Sequence, residues 1–408
     1  MASTSPLFTP LSIANGRITL THRVVMAPMT RNRGVPLSEA VDNKIWIHDH
    51  VGALYYGQRA SLGGLLITEG IPPSLEASGM PGVPGLFHES QHSGWKEAVK
   101  SVHDKGGFIY AQLWHAGRAT IPQMTGCPVV SASATPWETD ETFPFRTPDT
   151  KEKIKYKDFP PVAMTEDQIA VTTRDFVRAA RTAIDLGFDG VEINGGNGNL
   201  LDQFLHSNIN TRTDGYGSSP KARCKFPLDL VQAVAKEVGA SNVGVRLEPT
   251  GLYNGTFSTE RIETWSHLSE SLANLTTGGE KLSYIHFIEP RMDRVEANKT
   301  TFFDSWTLPE VSNEPFSAIF KKAGIPCISC GGWNADNADS SIDKWDAVAF
   351  AKLFVSNPDL PERLRLNKSL KEYDRSRFYG SWDGVRENGY TTYPTWEEKE
   401  ASTEVKTE

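Results

Sequence analysis

Short apolar runs rich in β-branched residues recur along the chain, and most give way to Gly, Pro or a polar residue and then to a helix-like stretch. They are RVVMAPM (23–29), GLLITEG (64–70), FIYAQLW (108–114), GVEINGG (190–196), VGVRLEP (243–249), YIHFIEP (284–290), PCISCGG (326–332) and AVAFAKLF (347–354), eight in all. Near-continuous apolarity marks strands covered on both faces, as in parallel sheets. The intervening MTEDQIAVTTRDFVRAARTAIDLG (164–187) sets Ile169, Phe176, Ala180 and Ile184 at helical spacing, with Gly187 as the stop. Eight such units favour a single (β/α)8 TIM barrel over an open doubly wound sheet. The segments RGVPLSEAVDNKIWIHDHVG and SATPWETDETFPFRTPDTKEKIKYKDFPP, after the first and third strands, read as long βα loops on the C-terminal face, where barrels build their sites. One domain over 1–394 and a charged, disordered tail over 395–408 are expected.

Composition narrows the function. Of 408 residues 38% are hydrophobic and 23% charged, and the formal charge of -8 argues against a general affinity for nucleic acid or an anionic membrane. The N-terminus has no basic region followed by an apolar stretch, so a cytoplasmic protein is expected. Four cysteines are too few for a disulfide framework, and CISC (Cys327 to Cys330) reads as small residues on a buried strand rather than as a metal or redox site. Glycosylation patterns at Asn254, Asn274, Asn298 and Asn367 carry no weight without secretion. The expected partner is a small-molecule substrate, with no nucleic acid and no membrane; monomer and homodimer both stay open.

The eight strand ends present Thr30, Glu69 with Gly70, Gln112 with Trp114, Asn194 with Asn197, Arg246 with Glu248, Glu289 with Arg291, Gly331 with Gly332, and Lys352. This ring of hydrogen-bonding groups contains no metal-ligand spacing, no H-E-x-x-H and no G-x-S-x-G elbow, which favours a bound organic cofactor. GGNGNL lacks the third glycine of a dinucleotide turn, having Leu201 there. SCGGWN and AKLF lie where barrels commonly hold a phosphate, and Lys352 is either its cation or a solvated lysine.

The words MAPMTRNR (26–33), YYGQRAS (55–61), LITEG (66–70), AQLWHAGR (111–118), GFDGVEI (187–193), NGNLLDQFL (197–205), RTDGYGSS (212–219), IEPR (288–291), FVSNPDLPERL (354–364) and YDRSRFYG (373–380) resemble the old yellow enzyme family of FMN-dependent ene-reductases, in order, from about Leu7 to Pro394. The resemblance implies FMN across the barrel mouth, hydride from its reduced N5 to the β-carbon of an activated alkene, and NADPH or NADH as reductant. It implies that Thr30 bonds the flavin near C4=O, Gln112 its pyrimidine edge, and Arg246 the N1 side, while Ala27, Pro28, Met29 and Gly70 contact the ring. Gly331, Gly332, Ala351 and Lys352 fall at the family's phosphate site, Ala351-Lys352 replacing the usual Gly-Arg and exchanging a bidentate fork for a point charge. Trp114, Phe378 and Tyr379 match aromatic residues of the substrate space, with core packing as the alternative.

The sequence departs from that pattern at three positions. Asn194 stands where the family generally has histidine, Asn199 where it usually has the tyrosine that protonates the substrate's α-carbon, and Glu248 where it usually has serine. Asn197 fits the family's substrate anchor. Asn194 donates through its amide but cannot become a cation, and Asn199 cannot act as an acid. Capping of the following helix is the bland alternative for Asn199, and neutralising Arg246 that for Glu248. Two readings follow. One is an ene-reductase of specialised metabolism whose proton comes from water, Tyr253, Tyr379 or Glu248. The other is an FMN-dependent isomerase or cyclase without net reduction. A drifted flavin-binding scaffold is disfavoured by the retained Thr30, Gln112, Trp114, Asn197 and Arg246.

Overall fold

A computed structural model describes residues 5–40, 43–145, 153–380 and 384–398. Eight parallel strands close a barrel in chain order: β1 (Val24–Met26), β2 (Leu65–Ile67), β3 (Phe108–Leu113), β4 (Gly190–Gly195), β5 (Val243–Leu247), β6 (Tyr284–Ile288), β7 (Cys327–Cys330) and β8 (Ala347–Phe350). The seam is the pairing of β8 with β1, Ala349 opposite Val25 and Phe350 opposite Met26. Each expected run supplies one strand. The last is shorter than its apolar length: Ala351 leaves the extended conformation, and Lys352 opens a short helix, Lys352–Ser356.

Side chains alternate across the barrel wall, as the pleat requires. Val24, Met26, Leu66, Ile109, Val191, Ile193, Val243 and Val245 pack outward in the core beneath the helices, whereas Val25, Ile67, Tyr110, Tyr284, Ile328 and Ala349 form a second core inside. Gly190 and Gly244 make room there, because a Cβ on either would lie 2.3 Å from the Tyr110 ring or 2.5 Å from the Tyr284 ring. The helix Glu166–Asp185 follows its sequence pattern: Thr165 caps it reciprocally with Gln168, Ile169, Phe176 and Ala180 are buried, and Gly187 (φ 98°) turns the chain out. A hairpin of Leu11–Ile13 and Ile18–Leu20 contributes Ile13, Ile18 and Leu20 to the inner core and plugs the N-terminal end. The opposite end is therefore the mouth.

The two long loops carry small sheets of their own. Val35–Pro36 pairs with Trp46–Ile47 after β1, and Val130–Ser131 with Val162–Ala163 after β3. Residues 41–42 and 146–152 of these loops lie outside the described residues, as do 399–408 of the tail. The start of that tail is pinned by Trp396 N–H, which donates to Asp359 Oδ2 at 2.7 Å. Buried arginines also tie the C-terminal segment to the β1 side: Arg31 donates to the carbonyls of Phe378 and Gly389, each at 2.8 Å, Arg33 to that of Arg377 at 2.9 Å, and Arg59 to that of Tyr390 at 3.2 Å. Among the described residues no helix is long and apolar enough to cross a membrane.

Candidate active site

Strand register brings an unusual set of polar side chains to one level inside the barrel. Gln112 on β3 lies beside Glu192 on β4, Asn194 beside Arg246 on β5, and Arg246 beside His286 on β6. Their hydrogen bonds run in a chain. Asn194 Nδ2 donates to Gln112 Oε1 at 3.2 Å, Gln112 Nε2 donates to Glu192 Oε1 at 2.6 Å, and His286 Nδ1 meets Glu192 Oε2 at 2.9 Å. Arg246 Nη2 donates to Cys330 Sγ at 3.0 Å. The sequence offered Glu248 as the group that neutralises Arg246; the structure sets the Cys330 thiol in hydrogen-bond contact with it.

All these groups are buried, so their charges persist only by pairing. Burial pushes the Glu192 carboxyl up, but His286 and Arg246 outweigh it and hold the group below its ordinary range. Burial likewise lowers His286, and Glu192 with Cys330 more than reverses this. Burial raises the Cys330 thiol, yet Arg246 and His286 bring it below its usual value. Sequence reasoning passed over Glu192 and His286. Their signal was present in GVEING and YIHFIEP, where one titratable residue interrupts an otherwise apolar strand on its inner face.

Above this layer, the turn after β4 is held from several sides. Asn197 (φ 57°) and Gly198 (φ 66°) are both left-handed. Asn194 Oδ1 accepts from Gly196 N–H at 3.0 Å, Glu248 Oε2 from Asn197 N–H at 2.6 Å, and Asp202 Oδ2 from Gly198 N–H at 2.8 Å. Asn254 Nδ2 donates to the Asn197 carbonyl at 2.8 Å. The Asn197 side chain is half-buried and has no hydrogen-bond partner among the described residues. Asn199 occupies the N-cap of the helix Leu200–Leu205 without a side-chain cap bond; its amide donates instead to the Gly196 carbonyl at 3.1 Å. Burial, then the neighbouring Asp202 charge, pushes Glu248 up to about 7. Asp202 is pushed up to about 7 by burial.

The remaining sequence candidates ring the mouth. Ala27 is buried, and Pro28, Met29 and Thr30 are half-buried just past β1. Gly70 lies flat against Trp114, a Cβ there falling 2.3 Å from the indole Cδ1. Trp114 Nε1, Arg246 Nε and His286 Nε2 are buried without a hydrogen-bond partner among the described residues. On the far side, Gly331 (φ 127°) and Gly332 (φ 79°) are exposed after β7. Lys352 is also exposed, its Nζ 5.7 Å from the centre of the Tyr373 ring. Tyr379 is 51% exposed and edge-on to Phe145 of the loop after β3 at 5.9 Å. Phe378 is half-buried and packs on Tyr373. Among the described residues no group of His, Cys, Asp and Glu is placed to hold a metal ion.

The chain has clear relatives. A model of the NADH:flavin oxidoreductase / NADH oxidase family matches residues 6–371. The flavin oxidoreductase hxnT of Emericella nidulans is 42% identical over 396 residues, spanning 95% of this chain and 97% of its own. The 12-oxophytodienoate reductase 1 of Oryza sativa subsp. japonica is 37% identical over 404 residues, 97% and 95% of the two chains. Among solved structures, morphinone reductase superposes with a TM-score of 0.81 at 36% identity, covering 97% of this chain and 98% of that one. The old yellow enzyme homologue from Zymomonas mobilis gives 0.80 at 29% identity, over 95% and 99%. Barrel, mouth and relatives agree: the chain belongs to the FMN-dependent NADH:flavin oxidoreductase family, the old yellow enzyme family.

Proposed function

We propose that this oxidoreductase reduces the C=C bond of a small α,β-unsaturated carbonyl or nitro compound. Bound FMN supplies the hydride at N5 and is recharged by a reduced nicotinamide, a reading supported by morphinone reductase having been solved in complex with tetrahydroNAD. The observation that carries the proposal is Arg246, a buried cation at the end of β5 whose Nε has no hydrogen-bond partner among the described residues. A buried, charged donor calls for an acceptor with negative character, and the N1 side of a flavin offers one.

The residues at the mouth fit that cofactor. Ala27, Pro28, Met29, Thr30, Gly70, Gln112 and Arg246 would hold the ring, and Gly331, Gly332, Ala351 and Lys352 the phosphate. On the substrate side, the unpaired amide of Asn197 and the second N–H of Asn194 donate to the oxygen that withdraws electrons from the alkene, while Trp114 and Tyr379 bound the space. Asn194 supplies a neutral donor with no proton to give.

The test is to purify the protein, record the yellow absorbance of bound FMN, and follow NADPH and NADH oxidation without oxygen in the presence of cyclohex-2-en-1-one. Stoichiometric nicotinamide loss with cyclohexanone as product is expected. Absence of bound FMN would overturn the proposal.

A second reading, an FMN-dependent isomerase or cyclase without net reduction, is favoured by Asn199. Its amide is committed to the Gly196 carbonyl and does not ionise, so nothing at that position quenches the α-carbon. Rearranged product without nicotinamide consumption supports this reading against the first.

A further inference from the structure

The turn Gly196–Asn199 is gripped by two buried carboxyls on consecutive amides, Glu248 on Asn197 at 2.6 Å and Asp202 on Gly198 at 2.8 Å. A left-handed conformation is costly for a residue other than glycine and persists where its surroundings over-determine it. Asn197 meets that condition, because its N–H is held by Glu248 and its carbonyl by Asn254. Glu248 is placed for this by β5. It lies two residues past Arg246, 7% exposed, and a Cβ on Gly196 would sit 3.0 Å from the Glu248 Cβ, so the turn and the carboxylate pack without a gap.

We propose that Glu248 is a positioning residue: through the Asn197 N–H it fixes the turn that aims the Asn197 amide at the substrate oxygen, and its ionisation sets how firmly the substrate is held. The inference rests on the substrate-anchoring role proposed for Asn197. A carboxylate accepts an N–H bond more strongly than the neutral acid does. Glu248 is faced by the carboxyl of Asp202, the guanidinium groups of Arg246 and Arg261, and, more distantly, Tyr253 and Arg291. Burial and Asp202 together raise its carboxyl to about 7, so protonation loosens the grip within the neutral range. The sign follows: substrate binds more weakly as pH falls from 8 to 6.

The test uses oxidised, FMN-loaded protein and cyclohex-2-en-1-one without reductant, so that calorimetry reads a dissociation constant free of turnover. The wild-type constant should rise about fivefold from pH 8 to pH 6, the difference between a charged and a neutral acceptor. Glu248→Gln keeps an acceptor that does not titrate; its pH dependence should flatten. Glu248→Ala should weaken binding about tenfold at pH 8. In an Asn197→Ala background neither change should weaken binding further.

Retention of the wild-type pH profile by Glu248→Gln overturns the inference, and so do equal losses in the Asn197→Ala background. If Glu248→Ala fails to fold, the Gln variant still decides. Asn197→Ala binding as tightly as wild type would instead overturn the anchoring role, and this inference with it; a weakened Asn197→Ala beside an unaltered Glu248→Gln profile overturns this inference alone.

Discussion

Asn194 Nδ2 donates to Gln112 Oε1 at 3.2 Å, joining a residue proposed to hold the substrate oxygen to one proposed to hold the flavin. Because Gln112 Nε2 is simultaneously spent on Glu192, the orientation of the Gln112 amide is fixed from both ends. A change at Asn194 therefore reaches the flavin as well as the alkene.

Asn194→Ala should weaken FMN retention about three- to tenfold, the usual worth of one buried hydrogen bond, and Asn194→Asp should weaken it more. The carboxylate has no hydrogen for Gln112 Oε1 and sets two acceptors against each other. Flavin fluorescence released on dilution measures both.

Asn199→Tyr should speed reoxidation of reduced enzyme by cyclohex-2-en-1-one, by about 10²-fold at the lower end of general-acid effects. The reduction of enzyme by nicotinamide should stay within twofold of wild type, a rough bound for a step that involves no proton at that position. Stopped-flow absorbance separates the two half-reactions; equal reoxidation rates in wild type and Asn199→Tyr would refute the account of Asn199 as the site of a missing acid.

Gly70→Ala should disturb the mouth more than its size suggests. Its methyl would meet the indole of Trp114 at 2.3 Å, so the ring must move or the β2 end must shift. A loss of about 1–3 kcal/mol of stability, the usual range for overpacking, is expected, together with altered tryptophan fluorescence.

Asp202→Asn tests the buried carboxyl by pH. The folded-state value of Asp202 is raised from 3.8 to about 7, so its contribution to stability is present in full below the unfolded value and is lost as pH rises through about 7. The Asn variant has no such loss. Its melting temperature should gain on the wild type between pH 5 and pH 8, by about 2 °C or more, in parallel thermal scans.

The barrel was legible because strands covered on both faces must be apolar throughout, and that pattern is local. Thr165, Gln168 and Gly187 announced one helix for the same reason: a cap and its partner are three residues apart. The site was legible only as positions. That Gln112, Asn194 and Arg246 stand at strand ends follows from the strands; that Asn194 bonds Gln112 and Arg246 faces Cys330 depends on side chains 82 and 84 residues apart in sequence. Glu192 and His286 escaped notice because each alone contradicts a buried strand, and only the pair, 94 residues apart, resolves the contradiction. Asn199 shows the opposite case. Its place before an apolar helix start suggested a cap, and it does occupy the N-cap, but its amide turns back to Gly196 instead of forward into the helix.

The arginines that tie the C-terminal segment to the β1 side bear on the order in which the chain is completed. β1 pairs with β8, and Arg31, Arg33 and Arg59, all near the beginning, find most of their carbonyl acceptors at Phe354, Val355 and residues from Arg377 to Tyr390. During synthesis, the chain must extend past Phe354 before Arg59 gains its distant acceptors, past Arg377 before Arg31 and Arg33 gain theirs, and through β8 before the first strand gains its second neighbour. A chain ending before Gly389 would retain the whole barrel sequence yet leave Arg31 without its Gly389 acceptor and Arg59 without its Tyr390 acceptor, so charges laid down near the start are fully satisfied only by the segment that comes last.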